Sequence, residues 1–164
     1  MSELEKKMKR VCFTGHRPDK LEGRIEDAKA YLKDQIEKAI ADGFQTFICG
    51  MCPGIDILAG EAVLKAKKTH PDIHLIAAMP YPRFAYNWEN WGNRVWNVCA
   101  HADLIQNVSR EYTGKDVFQK RNVWMVDHSS RLIAYWDGTP GGTRNTVVYG
   151  RQAGIQIINR FKEE

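Results

Sequence analysis

Short apolar runs of strand character recur along this chain, each followed by a stretch with helical period. Residues 11–14 form the first run. Residues 24–42 then place Ile25, Ala28, Leu32, Ile36, Ala39 and Ile40 on one helical face, and Gly43 supplies the stop. Runs of the same kind at 44–50, 73–80, 102–108, 131–136 and 154–160 alternate with helical patterns at 55–68, 84–100, 116–129 and from 143. Such alternation allows few solutions, because a parallel strand needs a crossover to reach its neighbour and that crossover is usually a helix. The expected fold is α/β: a Rossmann-like, doubly wound, mostly parallel sheet of five to six strands with helices on both faces. One domain over 1–164 is expected, with its core at about 10–160. In such sheets ligands bind beyond the carboxyl ends of the strands, so the loops after each strand are where function is sought.

Composition narrows the partner. A net charge of +4 over 164 residues suits an anionic small ligand but falls short of a dedicated nucleic-acid binder. No apolar run approaches the roughly 20 residues that cross a bilayer. The leader MSELEKKMKR has no apolar stretch behind it, and the four cysteines lack a regular framework. A cytoplasmic protein without a membrane partner is the expectation.

Three of those loops carry glycine beside polar or charged side chains. After the first strand comes Thr14-Gly15-His16-Arg17-Pro18, where glycine turns the backbone and a guanidinium can hold a phosphate or carboxylate. A plain strand-to-loop turn with a solvated arginine is the alternative. After the second strand, Gly50 and Gly54 bracket a turn into a helix whose first turn contains Asp56. That carboxylate either caps the helix or holds a sugar hydroxyl. The fifth strand, RLIAYW, ends in DGTPGGTRNT. Gly138, Gly141 and Gly142 permit close backbone approach, while Thr143 and Thr146 add hydroxyls at a helix start, an arrangement suited to a phosphate. Arg121 and Asn122 lie at a helix start expected to face the same crevice.

Other features are set aside. In Cys49-x-x-Cys52 the first cysteine is read as the last, core-facing residue of a strand, which suits neither a redox pair nor zinc. Cys99 and His101 do not complete a standard zinc pattern, so no metal is expected. Phe84, Trp88, Trp91 and Val95 repeat at helical spacing, which points to core or to a homodimer interface; Tyr81, Arg83, Asn87 and Trp96 lie off that stripe, where any could lean over a ligand. Asp127 and His128 are read as lying at the far end of the sheet.

The chain resembles the SLOG superfamily, which unites the DNA-processing protein A core with the LOG-type nucleotide phosphoribohydrolases, and is most similar to the small YpsA/YoqJ-type proteins. VCFTGHRP resembles their first-strand motif, and GMCPGIDILAGEAVL is similar to the G-x-x-x-G-I-D-x-x-A-H segment of the DNA-processing group, without its histidine. R-N-x-x-M-V-D and a later P-G-G-T resemble the phosphoribohydrolase pattern, with Arg121 at the matching arginine. The stretch TRNTVVYG, however, has Val148 and Tyr149 where the catalytic acid of that group belongs, and Asn145 replaces a glycine.

The resemblance implies a nucleotide or nucleotide-sugar ligand, ADP-ribose-like, NAD-derived or a nucleoside monophosphate, held by a sensing or regulatory module. The departure leaves enzymatic activity open. A nucleotide N-glycosidase using Asp56 or Glu61 as a substitute acid is the alternative, and single-stranded DNA binding is a second. Self-association to a homodimer is also implied.

Overall fold

The computed structural model describes residues 1–161. A short helix α1 (Glu3–Met8) precedes β1 (Arg10–Gly15), and α2 (Ile25–Ala41), β2 (Thr46–Cys49), α3 (Ile55–Lys67) and β3 (His74–Met79) follow. The chain continues through α4 (Gly92–His101), β4 (Leu104–Asn107), α5 (Asp116–Asp127), β5 (Arg131–Tyr135), α6 (Gly142–Gln152) and β6 (Gln156–Asn159).

The six strands form one sheet in the order β4-β3-β2-β1-β5-β6. Every pairing is parallel. The chain winds outward from β1 to β4, then returns to the other side of β1 to place β5 and β6. The winding therefore reverses between β1 and β5, whose register pairs Val11 with Arg131 and Gly15 with Tyr135. Both strands thus end level with each other, and their outgoing loops diverge to leave a crevice.

Alternation along the strands divides the core into two layers. Val11, Phe13, Phe47, Cys49, Leu75, Ala77, Ile133 and Tyr135 pack with residues of α2, α3 and α4, including Leu32, Ile36, Leu58 and Val98. Cys12, Ile48, Ala78, Leu132 and Ala134 face the other way, onto Met125 and Val126 of α5 and Val147 of α6. Such two-sided burial explains why the strands read as continuous apolar runs. Phe13 and Phe47 stack across neighbouring strands at 6.2 Å.

Two departures from the sequence reading stand out. The leader contains α1, with Ser2 as its N-cap: the Ser2 hydroxyl accepts from the Glu5 amide. The helix expected over 84–100 is formed only from Gly92, and the aromatic stripe before it is a series of turns. Pro80 and Pro82 precede it, and Arg83, Ala85 and Asn90 take positive φ values of 64°, 62° and 69°. The helix starts where a side chain would be excluded, since a Cβ on Gly92 would meet the Tyr86 carbonyl oxygen within 2.3 Å. The i, i+4, i+7 spacing of Phe84, Trp88 and Trp91 thus arises from turns folding around Phe84, and Trp88 is 41% exposed rather than core.

Candidate anion-binding cleft

A cleft of about 310 Å³ occupies the crevice between the β1 and β5 loops. Its size lies at the lower end of the range for small-molecule sites. Thr14, Gly15, His16, Arg17, Asp56, Arg121, Asn122, Gly141, Gly142 and Thr143 all line it. The sequence-selected residues thus converge, except that Gly138 is exposed and does not line the cleft and three others stand behind its surface. The Gly50 carbonyl accepts a hydrogen bond from Arg121 Nη1. Gly54 packs under the β1 loop, where a Cβ would meet the His16 carbonyl oxygen within 2.4 Å. Thr146 is buried, and its hydroxyl donates to the Gly142 carbonyl at 3.0 Å.

The two helices that begin at this edge differ in what their free amides do. At α3 the N-cap is Gly54, with φ 105°. The Ile55 amide donates to the His16 carbonyl at 3.1 Å, and the Cys52 amide to Asp56 Oδ2 at 3.1 Å. Asp56 therefore satisfies the turn ahead of its own helix, and part of that end is filled from within. At α6 the N-cap Gly141 has φ 145° and no side chain caps the helix. Its first-turn amides have no partners inside the helix, and the helix dipole adds positive character at the same place. Gly142 lies against open space, with nothing within 4 Å of the position a Cβ would take. The amide end of α6 is the one open to a ligand.

Charge reinforces this. Arg17, Lys20 and Arg121 line the cleft with Asp19 and Asp56. Arg121 is 3% exposed, and it sits in the second turn of α5 rather than at a helix start. Besides Gly50, it donates to Asn122 Oδ1 at 2.8 Å and to Cys52 Sγ at 3.5 Å. Arg17, exposed, also reaches Cys52 Sγ, at 3.6 Å. Burial pushes the Asp56 carboxyl above its usual range, against the pull of Arg121, its neighbouring amide and Arg17. A burial-raised carboxyl is a poorer repellent of anions than an ordinary surface aspartate.

Sequence reasoning passed over the brace on the β5 side. Asp137 accepts from the Thr139 hydroxyl at 2.7 Å, the Thr139 amide at 3.1 Å and Arg24 at 3.2 Å. Lys20 donates to the Thr139 hydroxyl at 2.8 Å, joining the β1 loop to the β5 loop. The signal was present in the Asp137-Gly138-Thr139 triplet, a turn in which a carboxylate binds its own backbone two residues on. Phe118, which no motif announced, and Cys52, set aside with its C-x-x-C spacing, also line the cleft. The substitute acids separate: Asp56 lines the cleft, whereas Glu61 pairs with Arg94 on α4 at 2.5 and 2.9 Å. Tyr149 donates to Asp127 at 2.7 Å, and the His128 ring stacks on Trp124.

All four cysteines are free, and Cys49 ends β2 in the core. Among the described residues no group of three or more His, Cys, Asp and Glu side chains is disposed to hold a metal ion. No helix among them is long and apolar enough to cross a membrane.

Comparison with known proteins agrees with this architecture. The chain is 36% identical over 121 residues to the uncharacterised SPbeta prophage-derived protein YoqJ of Bacillus subtilis, covering 65% of this chain and 69% of that one. It is 30% identical over 117 residues to a UPF0398 protein of Ligilactobacillus salivarius, covering 70% of this chain but only 63% of the relative's length. Among solved structures, DNA processing protein A from Helicobacter pylori, described for its single-stranded DNA binding mode, shares the fold. The TM-score is 0.71 at 17% identity, over 98% of this chain and 68% of that one. The YpsA model, described as the YspA SLOG family, matches residues 11–153, a span running from β1 through α6, and the chain therefore belongs to that family.

Proposed function

We propose that this protein binds a nucleotide or nucleotide sugar, a nucleoside monophosphate or an ADP-ribose-like compound, through its phosphate at the cleft between β1 and β5. One observation carries the reading: the uncapped start of α6 at Gly141–Thr143 opens into the same 310 Å³ cleft as Arg17, Lys20 and Arg121. Backbone amides at a helix start and a planar guanidinium both suit a phosphate, and here they share one cavity. The role that follows is binding and sensing, because no carboxylate stands on the first turns of α6. Titration calorimetry with AMP, ADP-ribose and pyrophosphate tests it. Saturable binding by AMP or ADP-ribose, displaced by pyrophosphate, is expected, and the absence of binding by every phosphate compound would overturn it.

Asp56 supports a second reading, hydrolysis of an N-glycosidic bond. It is a cleft-lining carboxyl whose pKa burial has raised, as a general acid requires. Incubation with AMP separates the two readings: free adenine accumulates in one and not in the other. Binding of single-stranded DNA comes from likeness to the Helicobacter pylori protein, and the mild net charge of +4 favours the smaller ligand.

A further inference from the structure

The segment between β3 and α4 leaves the same carboxyl edge of the sheet as the cleft loops, and it is built around rings. Phe84, 1% exposed, is the hub. It contacts Tyr81, Trp88 and Phe118 edge to face, with centroids 5.4–5.5 Å apart. Phe118 is itself a lining residue of the cleft, one turn ahead of Arg121 on α5. Arg17, also a lining residue, sets its guanidinium carbon 5.6 Å from the Phe118 centroid and 6.0 Å from that of Trp88. The ring cluster and the anion cleft are therefore continuous, joined through one arginine and one phenylalanine.

Core packing accounts for Phe84, Tyr81 and Phe118, which belong to the larger core layer or pack against it, but not for Trp88. Phe84 is buried, yet Trp88 keeps 41% of its surface in solvent. The turns that present the rings put Arg83 and Ala85 in the left-handed region, a conformation that residues with a Cβ rarely adopt and that concentrates at ligand sites. An exposed indole held beside an arginine-lined anion cleft offers a planar, sequence-tolerant stacking surface of the kind on which bases lie.

We infer that Trp88 and Phe118, bridged by Arg17, form a stacking platform for the heterocyclic base of a ligand whose phosphate sits at Gly141–Thr143. The inference rests on the nucleotide reading above and adds to it which part of the ligand is recognised where. It makes the preferred ligand a ring-bearing phosphate rather than a bare sugar phosphate. Stacking on Trp88 discriminates little among bases, since each has a π-face, so purine and pyrimidine nucleotides differ mainly by ring area.

Calorimetric affinities for AMP and ribose 5-phosphate, in the native chain and in Trp88→Ala, test the platform. In the native chain AMP is expected to bind about ten-fold more tightly than ribose 5-phosphate. Trp88→Ala should shrink that ratio to about two-fold or less while leaving ribose 5-phosphate affinity unchanged. The same ratio in both proteins, or an equal loss for both ligands, overturns the platform. Ribose 5-phosphate binding with no gain for AMP overturns the platform but leaves the anion cleft standing, whereas failure of both ligands removes the two together. Trp88→Phe keeps a ring against Phe84 and provides a folded control. It should retain the base preference and lose the AMP-induced quenching of tryptophan emission, and undiminished quenching counts against Trp88.

Discussion

His16 Nε2 accepts the Asp137 amide hydrogen at 3.1 Å and lies 2.9 Å from Asp137 Oδ1. Nε2 can accept this amide only in the neutral ring that carries its proton on Nδ1. Protonated, the same nitrogen donates to the carboxylate already 2.9 Å away and no longer accepts the amide. One side chain thereby ties the loop after β1 to the loop after β5, which are the two lips of the cleft.

Burial is the largest influence on His16 and depresses its pKa, outweighing the attraction of Asp137. The folded state therefore binds the proton less readily than the unfolded chain. Stability due to this group is complete above the unfolded value of about 6.5 and is lost as pH falls from there through the lower folded value. The ligand-free protein should lose melting temperature between pH 7 and pH 5, and His16→Gln should flatten that slope. A native protein whose melting temperature is level across this interval contradicts the assignment.

Arg17 separates binding from folding. Its side chain is exposed, and its contacts are a thiol at 3.6 Å and two ring faces. Exposed cation–π contacts contribute only about 0.5–1 kcal/mol each. Charge-assisted hydrogen bonds to a ligand contribute about 1.5–3 kcal/mol. Arg17→Ala should weaken AMP binding by about 10- to 100-fold in calorimetry and move the melting temperature of the free protein by only a few degrees. Collapse of the fold would make Arg17 structural.

The fold was legible because a two-layered parallel sheet leaves the same trace in sequence and in space. Residues such as Phe13 and Cys12 are both apolar because each face of β1 is covered. The cleft was legible where glycine met a strand end, as at Gly15 and Gly142. What escaped were relations between distant segments: Lys20 with Thr139, Asp137 with His16, Phe118 with Arg17. The aromatic segment misled because turns packed around a central phenylalanine can reproduce a 3.6-residue spacing. Nothing local announced the positive φ of Arg83 or Ala85, which tertiary packing imposes.

Cysteine chemistry should single out one position. Burial pushes the Cys12 thiol up to about 12 and raises those of Cys49 and Cys99. Cys52 alone of the four lines the cleft. Brief treatment of the native protein with iodoacetamide should alkylate Cys52 first, as read by peptide mass spectrometry, and saturating AMP should slow that reaction severalfold. Equal labelling of all four sites would mean that the cysteines report unfolding instead.

Two glycines of the site should behave in opposite ways when given a methyl group. At Gly54 the added Cβ would meet the His16 carbonyl oxygen within 2.4 Å and Arg17 Cα at 2.9 Å, on a backbone with φ 105°. Both obstacles are backbone atoms of the loop that forms the cleft, so nothing flexible can yield. Backbone strain of about 1–3 kcal/mol adds to an overpacking cost of similar size. Gly54→Ala should therefore destabilise the protein by about 2–5 kcal/mol in urea unfolding and disturb binding through the displaced loop. Gly142 has an ordinary φ and open space around the same position. Gly142→Ala should change stability by no more than about 0.5 kcal/mol, as a surface substitution does. If that space belongs to a phosphate, the methyl group should still weaken AMP binding by about ten-fold or more. An alanine tolerated there for folding and for binding alike would leave the glycine without a ligand to explain it.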